Sequence, residues 1–322
     1  MHELERPGRE CPRPQGVDDG LGRIGIGKSV CGERVHETER QGAVDIGQRA
    51  RRAGRRIGFV PTMGYLHEGH LSLIKAARAE TGLVVMSLFV NPTQFRPGED
   101  LSVYPRDEER DFQMAEKAGV DVIYAPSPDD VYPDGFATKV EVIGLTEVLE
   151  GDPASRGPGH FSGVTTIVSK LLNAVDPDIA YFGQKDAQQA TVIKRMAEDL
   201  DFRARISILP TVRERDGLAM SSRNAYLSPE ARERAASIWA ALLETERVTG
   251  ESGLEAGLAA GRSRLEVAGI EPEYFDARVP GTLDPADPES EETVLVAVAA
   301  PVDGTRLIDN ILIEPRKTRS IR

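Results

Sequence analysis

The sequence predicts an α/β protein, a parallel sheet wound by helices and followed by a smaller C-terminal α+β domain. Two observations predict it. Short apolar runs bounded by Gly or Pro alternate with helical patterns over residues 43–210, the spacing of βαβ units. After Pro210 that alternation stops, and a long helical stretch gives way to strand-like runs.

The elements follow in chain order. Residues 1–36 are rich in Gly, Pro and charge and show no periodicity, so they are expected to be a disordered extension. AVDIGQRARRAGRR, from Ala43, predicts a helix ending at Gly54. IGFV, between Arg56 and Pro61, predicts a buried strand. LSLIKAARAE predicts a helix after His70, and LVVMSLFV a second strand closed by Asn91-Pro92. Arg106–Ala118 reads as a helix and VDVIYAP as a third strand. Gly163–Ala174 reads as a helix and DIAYFG as a fourth strand. Ala187–Leu200 reads as a helix and ARISILP as a fifth strand. Beyond Pro210, VRERDGLAMSSRNAYLS is polar and linker-like, 229–268 is helical, and EYFDARV, TVLVAVAA and TRLIDNILIE are strand-like. The expected domains are therefore 37–210 and 211–322.

Composition narrows the function. At 322 residues, 40% hydrophobic and 29% charged, the chain reads as an ordinary globular protein of roughly two domains. A net charge of −12 argues against nucleic acid or a membrane surface as partner. Any bound phosphate must then meet a local basic pocket. Two cysteines, Cys11 and Cys31, give neither a disulfide framework nor a zinc set. No run of about 18 apolar residues exists, and the N-terminus lacks an apolar signal core, so a cytoplasmic location is expected.

Ligands in such sheets sit beyond the carboxyl ends of the strands, and the polar clusters fall there. PTMGYLHEGH follows IGFV, NPTQF follows VVMSLFV, and GQKDAQQ follows DIAYF. His67 and His70 are two of only five histidines. A zinc reading needs a third ligand and ordinarily an i, i+4 pair, whereas these are three apart with Gly69 between. A buried structural histidine is common, but two at one strand-to-helix turn are not. Free N–H groups at a helix start, Gly64 and Gly69 for close backbone approach, and two imidazole donors together suit an anion. Lys185 offers a cation to phosphate and Asp186 an acceptor for ribose hydroxyls. Gln188 and Gln189 offer neutral amides for a hydroxy-acid. Ser221, Ser222 and Arg223 add two hydroxyls and a guanidinium, and Asn91 and Gln94 complete the set. Turn and capping chemistry would explain Asn91 and Ser221 equally well, but not Gln94.

PTMGYLHEGH, FVNPTQF, YPR, GHFSGV, FGQKDAQQ and VRERDGLAMSSRNAYLS, in that order, resemble the pantoate–β-alanine ligase family, within the nucleotidyltransferases that share an HxGH element. The resemblance covers residues 55–314. It implies a Rossmann-like, doubly wound parallel sheet domain, a smaller C-terminal lid domain and a homodimer. It implies that ATP and pantoate form a pantoyl adenylate and pyrophosphate, with Mg2+ accompanying the ATP. β-Alanine then captures the acyl group, giving pantothenate and AMP.

By that resemblance Met63, Gly64, Tyr65, Leu66, His67, Glu68, Gly69 and His70 line the ATP site. Gly183, Gln184, Lys185 and Asp186 join them, with Val212 on adenine through its backbone and Met220, Ser221, Ser222 and Arg223 closing on the phosphates. The family gives His70 a proton-donor role, whereas the chemistry favours charge stabilisation, because the acid is already ionised. Gln94 and Gln189 would hold pantoate, with Gln94 also toward β-alanine. Pro61, Asn91, Tyr104, Glu150, Arg156 and His160 match positions near the substrates or the dimer edge, and Asp111 matches one near the magnesium. Two departures stand out. Gly157 is an extra residue that displaces Arg156 by one, and Gln184 stands where Glu is common. The alternative is another HxGH nucleotidyltransferase acting on a phosphorylated small molecule, against which Gln94 and Gln189, neutral amides, argue. A non-catalytic nucleotide-binding protein would have lost some of these ligand positions.

Overall fold

The computed structural model describes residues 35–314, apart from 97 and 99. The expectations for the N-terminal extension up to residue 34, and for Cys11 and Cys31, lie outside the described residues.

Six strands form one parallel sheet: β1 (Val35–Glu37), β2 (Ile57–Thr62), β3 (Leu83–Leu88), β4 (Val122–Tyr124), β5 (Ile179–Gly183) and β6 (Arg205–Leu209). Their spatial order is β1-β4-β3-β2-β5-β6. Helices α1 (Arg40–Arg52), α2 (Glu68–Glu80), α3 (Glu108–Ala118), α4 (Pro128–Val131), α5 (Pro158–Val175) and α6 (Ala187–Asp199) connect them. Side chains of β2 alternate between two cores. Ile57 and Phe59 pack with residues of α1, α5 and α6, while Val60 packs with Leu73, Ile74 and Ala115 of α2 and α3. Both faces of the sheet are therefore covered, which explains the near-continuous apolar runs of these strands.

The winding reverses between β2 and β5. From β2 the chain progresses outward through β3 and β4, then crosses back to start β5 on the other side. Ligand crevices form at such switch points, beyond the strand ends. Here those ends carry PTMGYLHEGH and GQKD.

Past the parallel sheet, α7 (Pro229–Ser252) and α8 (Leu254–Val267) pack on an antiparallel sheet ordered β7-β8-β9. Its strands are β7 (Tyr274–Arg278), β8 (Val294–Val302) and β9 (Thr305–Ile313). Gly253, at φ +90°, separates the two helices.

Two boundaries differ from the sequence reading. β1 begins at Val35, inside the stretch assigned to the extension. Its three residues carry no pattern of their own, and pairing with β4 supplies the strand. Helix α2 begins at Glu68 rather than after His70, so both histidines stand at its N-terminus.

Candidate active site

His67 is the N-cap of α2, in extended conformation at φ −141°. Its Nδ1 accepts the Gly69 N–H at 3.2 Å, and the His67 N–H in turn donates to Nδ1 of His70 at 3.3 Å. The two rings lie 4.1 Å apart. A ring nitrogen that accepts a hydrogen bond carries no proton, so each neutral ring bears its proton on Nε2. Burial first, then the charge of Lys185, lowers the His67 pKa to about 4. Burial, with His67 and Lys185 adding to it, holds His70 well below its ordinary value. At neutral pH the turn therefore presents two uncharged N–H donors at a helix start, where the helix dipole adds a partial positive charge.

The turn is fixed from behind. Asp111 of α3, 1% exposed, accepts the N–H of Tyr65 at 2.6 Å and of Leu66 at 2.7 Å. Tyr65 is held at φ +49°, a conformation that few side chains adopt. Asp111, expected near the magnesium, is thus committed to the backbone of the turn and lines neither cavity of the site.

Two cavities adjoin here, of about 230 and 830 Å³. The smaller is lined by Pro61, Met63, His67, Gly69, His70, Asn91, Tyr104, Gly183, Val212, Met220 and Ser222. The larger opens toward β7 and β9 and is lined by Glu150, Arg156, His160, Tyr274 and Arg306. Met63, Gln94, Lys185, Asp186, Gln189, Ser221 and Arg223 line both. The sequence clusters thus converge on one crevice. Five expected residues turn elsewhere. Gly64 packs on Asp111, Leu66 is in the core, and Tyr65 lies under Arg110 with 5.3 Å from guanidinium carbon to ring centre. Glu68 points outward toward Lys75, 3.9 Å away. Gln184 faces Asn310 of β9.

Gln94 is oriented through Asn91. The Asn91 side chain caps the turn at 92–94 by accepting the Thr93 N–H, and its Nδ2 donates to Gln94 Oε1 at 3.2 Å and to Gly163 O at 3.1 Å. The Tyr132 hydroxyl donates to Asn91 Oδ1 at 2.7 Å. With its oxygen occupied, Gln94 turns its NH2 toward Met63, 2.9 Å from the sulfur. Gly163 is required where α5 crosses this turn, since a Cβ there would stand 2.5 Å from Thr93 O. His160 donates from Nδ1 to Gln94 O at 2.8 Å, leaving Nε2 to accept from Arg156 at 3.2 Å. The added Gly157 takes φ +75° and absorbs the extra residue, so Arg156 still reaches the cavity wall.

Gln188 and Gln189, equivalent in sequence, separate. Gln188 is buried, its amide held by Leu145 O, Val148 O and the Glu150 N–H at the wall of the larger cavity alone, whereas Gln189 lines both cavities. Ser221 accepts the Arg223 N–H, and the Ser222 hydroxyl donates to Tyr65 O at 3.4 Å, joining this segment to the histidine turn. The Val212 carbonyl accepts the Met220 N–H at 3.0 Å. Lys185 Nζ lies 3.6 Å from Asp186.

Sequence reasoning missed the contribution of β7 and β9. Arg306 binds both oxygens of buried Glu150, at 2.8 and 2.7 Å, and Tyr274 donates to the same carboxylate at 2.6 Å. Burial opposes the charge of Glu150, yet these donors hold its pKa below the ordinary value. No local motif announces these residues, since Glu150 lies in a short turn and Tyr274 and Arg306 sit on strands (YFDAR and TRLIDNILI) that mix polar and apolar positions.

Comparison with known proteins follows the same direction. A family model described as Pantoate-beta-alanine ligase matches residues 35–312. Pantothenate synthetase from Moorella thermoacetica is 53% identical over 268 residues, covering 82% of this chain and 93% of that protein. Its counterpart from Acetivibrio thermocellus is 52% identical over 265 residues, covering 81% and 92%. The crystal structure of pantothenate synthetase from Thermus thermophilus superposes with a TM-score of 0.81 at 44% identity, covering 86% of this chain and 98% of that one. Pantoate-beta-alanine ligase from Francisella tularensis, solved with beta-gamma ATP and beta-alanine, gives 0.72 at 34% identity, covering 87% and 97%. With this match spanning nearly all of the described fold, the chain belongs to the pantoate–β-alanine ligase family.

Proposed function

We propose that this chain condenses pantoate with β-alanine at the expense of ATP, releasing pantothenate, AMP and pyrophosphate. A pantoate carboxylate oxygen attacks the α-phosphorus of ATP, and the bond to the bridging oxygen breaks as pyrophosphate leaves. The β-alanine amine then attacks the carbonyl of the mixed anhydride, and AMP departs with the C–O bond electrons. The observation that carries this reading is the pair of imidazoles, each with Nδ1 occupied by a backbone N–H, lining a crevice that also holds Lys185, Ser221 and Arg223. Preorganised donors of this kind stabilise charge that grows on the leaving pyrophosphate. Adenylation needs no proton transfer because the attacking acid is ionised, whereas amide formation releases one proton from the attacking amine.

Gln94 and Gln189 would hold the pantoate hydroxyls and carboxylate, and their lack of charge disfavours a phosphorylated acceptor. Asp186 would take ribose hydroxyls and the Val212 N–H an adenine nitrogen. Residues 211–322 would act as a lid domain over 37–210, with Arg213–Asn224 as the closing segment, keeping water from the adenylate. The enzyme would work as a cytoplasmic homodimer. Mg2+ fits as an ion carried on the triphosphate and water, since no cluster of three or more His, Cys, Asp or Glu suited to a metal exists among the described residues. When bound it supplies charge neutralisation on the phosphates.

The test is AMP formation by the purified protein. AMP that appears only when pantoate and β-alanine are both present supports the reading. AMP formation indifferent to pantoate, or none at all with the three substrates, overturns it.

A further inference from the structure

We propose that Asn310, with its neighbour Asp309, positions the nucleotide-binding machinery, making β9 the common anchor of the Lys185 turn and the Ser221–Arg223 segment. The proposal rests on the function proposed above. Asn310 is 4% exposed, and its Nδ2 donates to the backbone carbonyls of Gln184 and Lys185, at 2.9 Å each. Its Oδ1 accepts from Gln184 Nε2 at 3.0 Å. Carbonyls only accept, so both Nδ2 hydrogens are committed and Asn310 acts through the turn rather than on a ligand. The two carbonyls are thereby held toward β9, while the Lys185 side chain lines the crevice. The unusual Gln184 fits here as the donor that completes the amide pair.

One residue earlier, Asp309 is 4% exposed and holds Arg213 with both oxygens, at 2.6 and 3.0 Å. It also accepts the Asn310 N–H at 2.8 Å, so the two anchors share one carboxylate. Arg213 stacks on Trp239 with its guanidinium carbon 3.4 Å from the ring centre and donates to Gly217 O at 3.2 Å. Arg213 and Ala219 form an antiparallel bridge, which seats the chain just before Ser221. A shift of β9 would therefore move the lysine and the serine–arginine segment together. Small displacements of positioned groups are costly for catalysis.

The variants are Asn310→Asp and Asn310→Ala, with Arg213→Lys for the second anchor. Asn310→Asp keeps shape and the acceptor for Gln184 but turns an oxygen on two carbonyls. The assay is pantoate-dependent exchange of pyrophosphate into ATP, with KM for each substrate and a thermal midpoint. We expect kcat/KM for ATP to fall about tenfold or more in each variant, the scale of one to two lost hydrogen bonds. KM for pantoate should stay within about twofold, a split that a purely structural defect would not produce. ATP parameters equal to wild type in folded protein, or a uniform fall that tracks the folded fraction, overturn the proposal. If Asn310→Asp does not fold, the same outcomes are read from the other two. Absence of exchange in the wild type would instead sink the proposed function itself.

Discussion

Replacing Asp111 by Asn should destabilise the protein in the complete absence of metal and nucleotide. The carboxylate, 1% exposed, accepts two backbone N–H groups at 2.6 and 2.7 Å. In the amide, one oxygen becomes an NH2 facing a backbone N–H. That change removes one charge-assisted bond, about 1.5–3 kcal/mol, and strands a buried donor at a further cost of about 1–3 kcal/mol. Burial raises the pKa of Asp111 despite these bonds, so removing its charge returns part of the loss. The net is about 2–4 kcal/mol, on the order of 3–6 °C in thermal midpoint for a chain of this size. Tyr65, no longer pinned at φ +49°, should relax and carry the histidine turn with it, so adenylation should fall as well. The assay is thermal unfolding in excess EDTA. An unchanged or raised midpoint, with only the magnesium dependence of adenylation altered, would show that Asp111 serves the metal and that this reasoning is wrong.

Three further outcomes follow from the site. His70→Ala should fold and bind pantoate nearly normally, yet lose adenylation by about 10²-fold or more, the effect of one lost transition-state donor; pyrophosphate release near the wild-type rate would refute it. Free-enzyme stability should fall as pH drops from about 6.5 toward about 4, because His67 binds its proton in the unfolded chain but not in the folded one. The full loss for His67 is about 3 kcal/mol and is absent above that window, and denaturant unfolding at pH 7 and 5 should read about 2 kcal/mol of it. Glu150→Gln should cost about 2–4 kcal/mol by denaturant titration, since it breaks a buried pair with Arg306 and leaves only Glu273 to compensate; no change would count against the cluster as a structural tie.

The parallel sheet was legible because β2 to β5 are largely buried on both faces and, with the half-buried edge strand β6, read as apolar runs between helical stretches. β1 was not, since Val35–Glu37 has no pattern and exists through its partner β4. The residues lining the crevice were legible as polar clusters at strand ends. Their individual duties were less so. Asp111 and Gln188 look like site residues in sequence, but their side chains are spent on backbone groups of Tyr65, Leu66, Leu145, Val148 and Glu150. Nothing local distinguishes Gln188 from Gln189, because helix rotation decides which amide meets the backbone groups of Leu145, Val148 and Glu150. Likewise Arg306 and Asn310 become visible only when β9 is brought against Glu150 and the turn after β5, more than a hundred residues earlier in the chain, and Asp309 only through Arg213.

The most direct measurement is nitrogen NMR of the imidazoles in the protein labelled with 15N-histidine, assigned through His67 and His70 variants, at pH 7 without ligand. Both rings should show the neutral pattern with the proton on Nε2. Doubly protonated rings, or protons on Nδ1, would mean that the turn offers charge or acceptors instead of neutral donors, contradicting the basis of phosphate stabilisation set out above.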